Sequence, residues 1–110
     1  MSFDARLAVI GKHKGYDYEE ITVADAAIGF TASKLATQTP PKRIYVTCEI
    51  AQIRLRYDGE NPTTGVPATA VGHPINPFDT LYIEGLKNMK NFRAIRTGDN
   101  SAKLRCTYER

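Results

Sequence analysis

Two histidines, His13 and His73, and two cysteines, Cys48 and Cys106, are the side chains of this chain best suited to attack, to shuttle a proton or to hold a metal. His13 lies in Gly11-Lys12-His13-Lys14-Gly15 and His73 in Gly72-His73-Pro74. Neither has a serine or cysteine nucleophile on a recognisable elbow, and no carboxylate pairing recurs nearby. A solitary loop imidazole is ordinarily solvated or holds a turn. Two Cys and two His at these spacings make neither a four-ligand zinc site nor a disulfide framework. The glycine patterns that cradle nucleotide phosphates are absent as well. The reading is therefore non-enzymatic, with no catalytic residue, no metal and no cofactor expected.

Charge offers a second kind of chemistry. Arg54 and Arg56 share one outward face, and Arg93, Arg96, Lys103 and Arg105 fall on neighbouring segments, with Tyr45, Tyr57 and Tyr82 as stacking platforms. Such a face resembles a single-strand-binding sheet. It is equally the pattern of cross-strand pairs, such as Arg105 with Glu49 or Glu84, that keep a solvated sheet soluble. A net charge of +3 leaves little electrostatic footprint and argues against nucleic acid.

These residues must be positioned by strands. Ala102, Leu104, Cys106 and Tyr108 alternate with Lys103, Arg105 and Thr107, which predicts a half-buried strand. Ile44, Val46, Cys48 and Ile50 repeat the pattern, and Ile53, Leu55 and Tyr57 continue it on the opposite parity. A bulge, corner or tight turn is required near Glu49 to Ala51. Both cysteines take the apolar parity, so they are expected buried and unpaired. Asp79 to Glu84 and Asn91 to Arg96 predict two further strands, the second anchored by Phe92. Glu20 to Val23 fits another, and Ala24 to Leu35 is read as strand, turn and strand. The segment from Gly85 to Asn91 is read as a turn or irregular crossing, and Glu60 to Pro77, with four prolines, as one long surface loop.

Five to eight short strands and no clear helix predict an all-β, antiparallel β-sandwich, jelly-roll-like or Ig-like, in residues 19–110. Residues 1–18 are expected to form an extended N-terminal arm. With 110 residues, 42% of them hydrophobic, one core is expected and wholesale disorder is not. The run Leu7-Ala8-Val9-Ile10 is too short for a signal-peptide core or a membrane span, which points to folding in a reducing cytoplasm and to no membrane partner.

From Thr47 to Gly59 (Thr-Cys-Glu-Ile-Ala-Gln-Ile-Arg-Leu-Arg-Tyr-Asp-Gly), then at Pro62-Thr63, Gly72-His73, Asp79-Thr80-Leu81, Asn91 to Arg96, Ser101 to Leu104 and Thr107-Tyr108, the chain resembles small virion-associated β-sandwich proteins of tailed bacteriophages. Ile21-Thr22-Val23 and Gly29 to Ala32 extend the likeness, which spans about residues 19–110 and departs at His73 to Pro77 and in the arm. The resemblance implies a virion protein made in the host cytoplasm and a homo-oligomer. The small β domain, the lack of a catalytic constellation and the two segments of low periodicity add the expectation of a head-decoration subunit binding the major capsid protein and neighbouring copies, with a tail, neck or fibre-base position as the alternative. A carbohydrate-binding module and a single-strand nucleic-acid binder are the rivals from other classes. Partner contacts are expected from Leu7, Val9 and Ile10 of the arm, from Arg54 and Arg56, and from His73.

Overall fold

The computed structural model describes residues 13–65 and 69–110. Among the described residues seven strands form two antiparallel sheets. They are β1 (Gly15–Val23), β2 (Arg43–Glu49), β3 (Ile53–Arg56), β4 (His73–Ile75), β5 (Thr80–Glu84), β6 (Arg93–Arg96) and β7 (Ala102–Glu109). The first sheet runs β1-β7-β2-β5 and the second β4-β3-β6. Two short helices, α1 (Ala32–Leu35) and α2 (Leu86–Asn91), close the ends.

Alternation along the strands decides the packing. The inward parity of the first sheet supplies Ile21, Val23, Ile44, Val46, Cys48, Ile83, Ala102, Leu104, Cys106 and Tyr108, and the second adds Ile53, Leu55 and Ala94. Phe30, Leu35, Met89 and Phe92 plug the gaps between them. The result is a β-sandwich in one domain, as the alternation predicts.

Three local readings need correction. Strand β1 begins at Gly15, so Gly15 to Tyr18 belong to the sheet, with Tyr18 opposite Thr107, and not to an arm. The alternation is masked there because Glu19 occupies the inward parity. Its carboxylate accepts from the buried Tyr108 hydroxyl and from Thr31 Oγ1 at 2.5 Å. Second, Ala24 to Leu35 is not a strand pair. It touches β6 through the bridge of Ile28 to Ala94 and a bond from Arg96 N to Ala24 O, and then turns into α1. Third, Gly85 to Asn91 contains α2, whose buried face is Met89, fewer than two turns being too short to show a helical period.

The segment from Glu60 to Pro77 is not a single free loop either. Thr63 pairs with Val71, Thr64 Oγ1 donates to Thr97 O at 3.0 Å, and His73–Ile75 forms β4 against β3. The turn back is made at Gly72, with φ +123°, where an added Cβ would lie 3.0 Å from both Leu55 O and Pro62 Cβ. That backbone region is open essentially to glycine alone. Gly72→Ala is expected to cost about 2 to 4 kcal/mol through strain and displacement of the loop. Gly65→Ala serves as the control, since its Cβ would meet nothing within 4 Å, although its own φ is +124°. Urea midpoints of the two variants check this; equal losses would mean that strain alone, and not close packing at Gly72, sets the cost.

Candidate interaction surface

The parity switch demanded by the alternation is made at Ile50. Its φ is +80°, and the amide of Ala51 donates to Glu49 O at 3.0 Å, a γ-turn of the rare positive-φ kind. Cys48 Sγ reaches Ala51 O at 3.3 Å and tightens the corner. The chain leaves the first sheet here and enters β3 of the second.

A second strained turn sits against the first. In Asn76-Pro77-Phe78-Asp79 the amide of Asp79 donates to Asn76 O at 3.1 Å, and Phe78 has φ +73°. Proline at the second position and positive φ at the third make the pattern of a type II turn, in which the third position normally holds glycine or asparagine. The two turns are clasped together. Phe78 N donates to Cys48 O at 2.7 Å, Cys48 N to Asp79 O at 3.0 Å, and Gln52 Nε2 to Asn76 Oδ1 at 2.8 Å.

Two bulky apolar residues thus occupy backbone conformations suited to glycine, and neither is hidden by doing so. Ile50 is 67% exposed and Phe78 80%. Positive φ at a β-branched or bulky residue costs on the order of 1 to 3 kcal/mol each and persists only where the surroundings impose it. Burial does not offset that cost here. An apolar tip held out under strain is the arrangement of a contact surface, where aromatic side chains dominate the binding energy.

The residues expected at the partner contact are placed otherwise. Leu7, Val9 and Ile10 lie outside the described residues. Arg54 turns onto the loop that precedes β4, with Nη1 donating to Gly72 O at 2.8 Å. Arg56 forms a two-pronged pair with Asp58, Nε to Oδ1 at 3.0 Å, which lowers the Asp58 pKa and raises that of Arg56. His73 is exposed on β4 with its ring 6.2 Å from that of Tyr57, and these two with Arg56 and Asp58 line a shallow hollow of about 290 Å³. The structure therefore brings Arg56 and His73 into one hollow and turns Arg54 onto Gly72, outside its lining.

The cationic face is also engaged internally. Arg105 Nε donates to Glu49 Oε1 at 2.8 Å, its Nη1 reaches Glu20, and Lys103 Nζ lies 3.5 Å from the same Glu20. The Arg105–Glu49 pair is one of those expected from the sequence. A buried pair, Arg43 with Glu109 at 2.6 Å, extends the row, and the Arg43 guanidinium stacks 4.2 Å over the Tyr82 ring. Tyr45 packs on Tyr82 with centroids 4.9 Å apart, so both rings are engaged within the sheet.

Both cysteines are buried and unbonded. Burial pushes the Cys48 thiol up to about 11 and the Cys106 thiol up to about 12, with Asp79 and Glu49 adding to the first and Glu19 to the second. Such thiols are inert at neutral pH. Among the described residues no group of three or more His, Cys, Asp or Glu side chains is placed to hold a metal ion, and no helix is long and apolar enough to cross a membrane.

Sequence reasoning missed Ile50 and Phe78. Ile50 carried a signal, since the parity switch required a tight turn at its position. Phe78 carried a weaker one, a bulky residue directly after proline in an Asn-Pro-x-Asp turn. Compared with known proteins, the chain matches no protein-family model, no curated protein and no solved structure.

Proposed function

We propose that this protein is a non-enzymatic structural subunit of a tailed-phage virion, a head-decoration or head-accessory protein that docks on the major capsid protein through the Ile50–Phe78 tip. The observation that carries the docking surface is the pair of exposed apolar side chains held at φ +80° and +73°. The virion class is supported by the resemblance over about residues 19–110. A small rigid sandwich that displays a fixed apolar tip suits attachment to a preformed shell, because little ordering entropy is lost on docking. The same tip serves equally at a neck or tail position, and copy number separates these: hundreds per particle mark a shell site, a ring-sized count marks the neck or tail.

Quantitative mass spectrometry of purified particles tests the class, and the chain is expected at shell copy number. Its absence from particles would overturn the virion reading. For the surface, Ile50→Asn combined with Phe78→Asn retains residues that tolerate positive φ and removes the apolar tip. The variant is expected to melt within a few degrees of the parent yet to attach to chain-free particles about 100-fold more weakly, the scale of a two-residue hot spot. Undiminished attachment would remove the tip from the proposal.

A further inference from the structure

We infer that a second copy of this chain pairs with strand β5 about a two-fold axis at Tyr82, joining two four-stranded sheets into one continuous sheet. The inference starts from the backbone. Gly85 N donates to Lys42 O, and Cys48 N donates to Asp79 O. The register between β2 and β5 is unbroken, Ile44 opposite Ile83 and Val46 opposite Leu81. Hydrogen-bonded and non-bonded pairs alternate along an antiparallel ladder, so Leu81 and Ile83 are bonded to β2. Thr80, Tyr82 and Glu84 consequently turn their N–H and C=O groups to the other side, where β5 has no neighbouring strand among the described residues; Glu84 O accepts there from Asn88 Nδ2 at 3.0 Å and keeps its second lone pair for a partner.

The other edges are guarded. Strand β1 holds three carboxylates, Asp17, Glu19 and Glu20, and has a register break near its start. Strand β4 is three residues long and contains Pro74. The free side of β6 is capped by Ile28, bonded both ways to Ala94, and by Ala24 O, which accepts from Arg96 N at 3.0 Å. Charges, proline, irregularity and cover are the ways in which proteins block edge pairing. Strand β5 has no proline, no lysine and no register break over its five residues.

Its sequence is also complementary to itself. With the axis at Tyr82, Tyr82 bonds the partner's Tyr82, and Thr80 and Glu84 bond the partner's Glu84 and Thr80. On the inward side Leu81 faces the partner's Ile83, an apolar cross-strand pair formed twice. Glu84 meets a threonine and not another carboxylate, so the pairing sets no like charges opposite each other. Beside the edge lies an open groove of about 350 Å³, with Leu55, Tyr57, Leu81 and Ile83 among its walls, which the added strand would roof. A two-fold interface of this kind is closed and stops at a dimer. The inference does not depend on the virion assignment or on the Ile50–Phe78 tip.

The test uses the full chain. Sedimentation equilibrium from micromolar to millimolar concentration is expected to give a monomer–dimer equilibrium. Residue-resolved amide exchange is expected to show protection at Thr80, Tyr82 and Glu84 that grows with the dimer fraction, against concentration-independent protection at Leu81 and Ile83. Tyr82→Pro removes the central outward N–H, which an edge strand tolerates, and should weaken the dimer about 100-fold. Tyr82→Thr, which keeps that N–H, should retain the dimer, and Thr80→Pro replaces Tyr82→Pro if the latter fails to fold. A monomer throughout the range, or a dimer whose three outward amides exchange at the monomer rate, would overturn the inference. The Ile50→Asn, Phe78→Asn variant should dimerise like the parent, so loss of particle attachment and loss of dimer are read separately.

Discussion

Replacing Phe92 by alanine is expected to destabilise the protein by about 3 to 5 kcal/mol, the range of aromatic truncation in a packed core. Phe92 is 1% exposed and stacks on Phe30 with ring centroids 4.5 Å apart, while Phe30 meets Tyr108 edge-on at 6.3 Å. These three rings lie where α1 and the end of α2 close the gap between the sheets. Collapse around a missing Phe92 ring is restricted because its own carbonyl accepts from Arg93 Nη1 and lies 2.7 Å from where a Cβ on Gly29 would stand. A backbone pinned on both sides relaxes little, and the cavity persists. Leu104→Ala, fully buried at the centre of β7, is expected at about 2 to 5 kcal/mol. Arg105→Ala, one residue on and facing outward, should cost much less, because its ion pairs are solvent-screened. Denaturant midpoints of the three variants check the ranking, and a loss at Arg105 equal to that at Leu104 would contradict the observed packing.

What could be read from the sequence followed one rule. Where a strand presents one apolar face to the core, period two survives in the residue types, and β2, β5 and β7 were legible for that reason. The corner at Glu49 to Ala51 was legible too, because a parity change is a geometric contradiction that only a turn or bulge resolves. Strand β1 was cut short because a carboxylate held by Tyr108 and Thr31 breaks the apolar alternation while remaining structurally inward. The helices α1 and α2 are four and six residues long, less than two turns, so no helical period could show. Strand β4 was hidden by Pro74, which is tolerated because the strand lies at an edge. The contact residues were harder still. Arg54 and Arg56 sit on the outward parity as expected, yet a loop distant in sequence supplies the partner of one and a turn two residues away that of the other. Ile50 and Phe78 combine exposure with a positive φ that their residue types argue against, a conflict between local preference and tertiary structure of which the sequence marks the turns and not the exposure.

Where exposed groups carry the strain, buried ones are expected to set the protein's alkaline limit. Stability is expected to be level around neutral pH and to fall above about pH 9, steepening toward pH 11. Three buried groups carry most of the effect, and Tyr82, also raised by burial, adds to it above pH 10. Cys106 is pushed up to about 12 and Cys48 to about 11, and burial together with the bond to Glu19 holds the Tyr108 hydroxyl above its ordinary 10.0. In the unfolded chain the thiols ionise near 9.0 and the phenol near 10.0. Between those values and the raised ones the folded state binds more protons than the unfolded state, so the unfolding free energy decreases as pH rises. The stabilisation relative to high pH is complete below 9 and is lost through the window that ends near the folded values. Cys106 alone contributes a slope of about 1.4 kcal/mol per pH unit once the unfolded thiol is ionised. Cys106→Val removes that slope and keeps an apolar side chain of similar size. It should flatten the alkaline limb of a stability–pH profile measured by urea denaturation while changing neutral stability by less than about 1.5 kcal/mol. Tyr108→Phe should flatten the limb above pH 10 in the same way, at the cost of leaving the Glu19 carboxylate with Thr31 as its remaining partner of the two. A parent profile level to pH 11, or a Cys106→Val profile as steep as the parent's, would show that these groups ionise as readily in the fold as outside it.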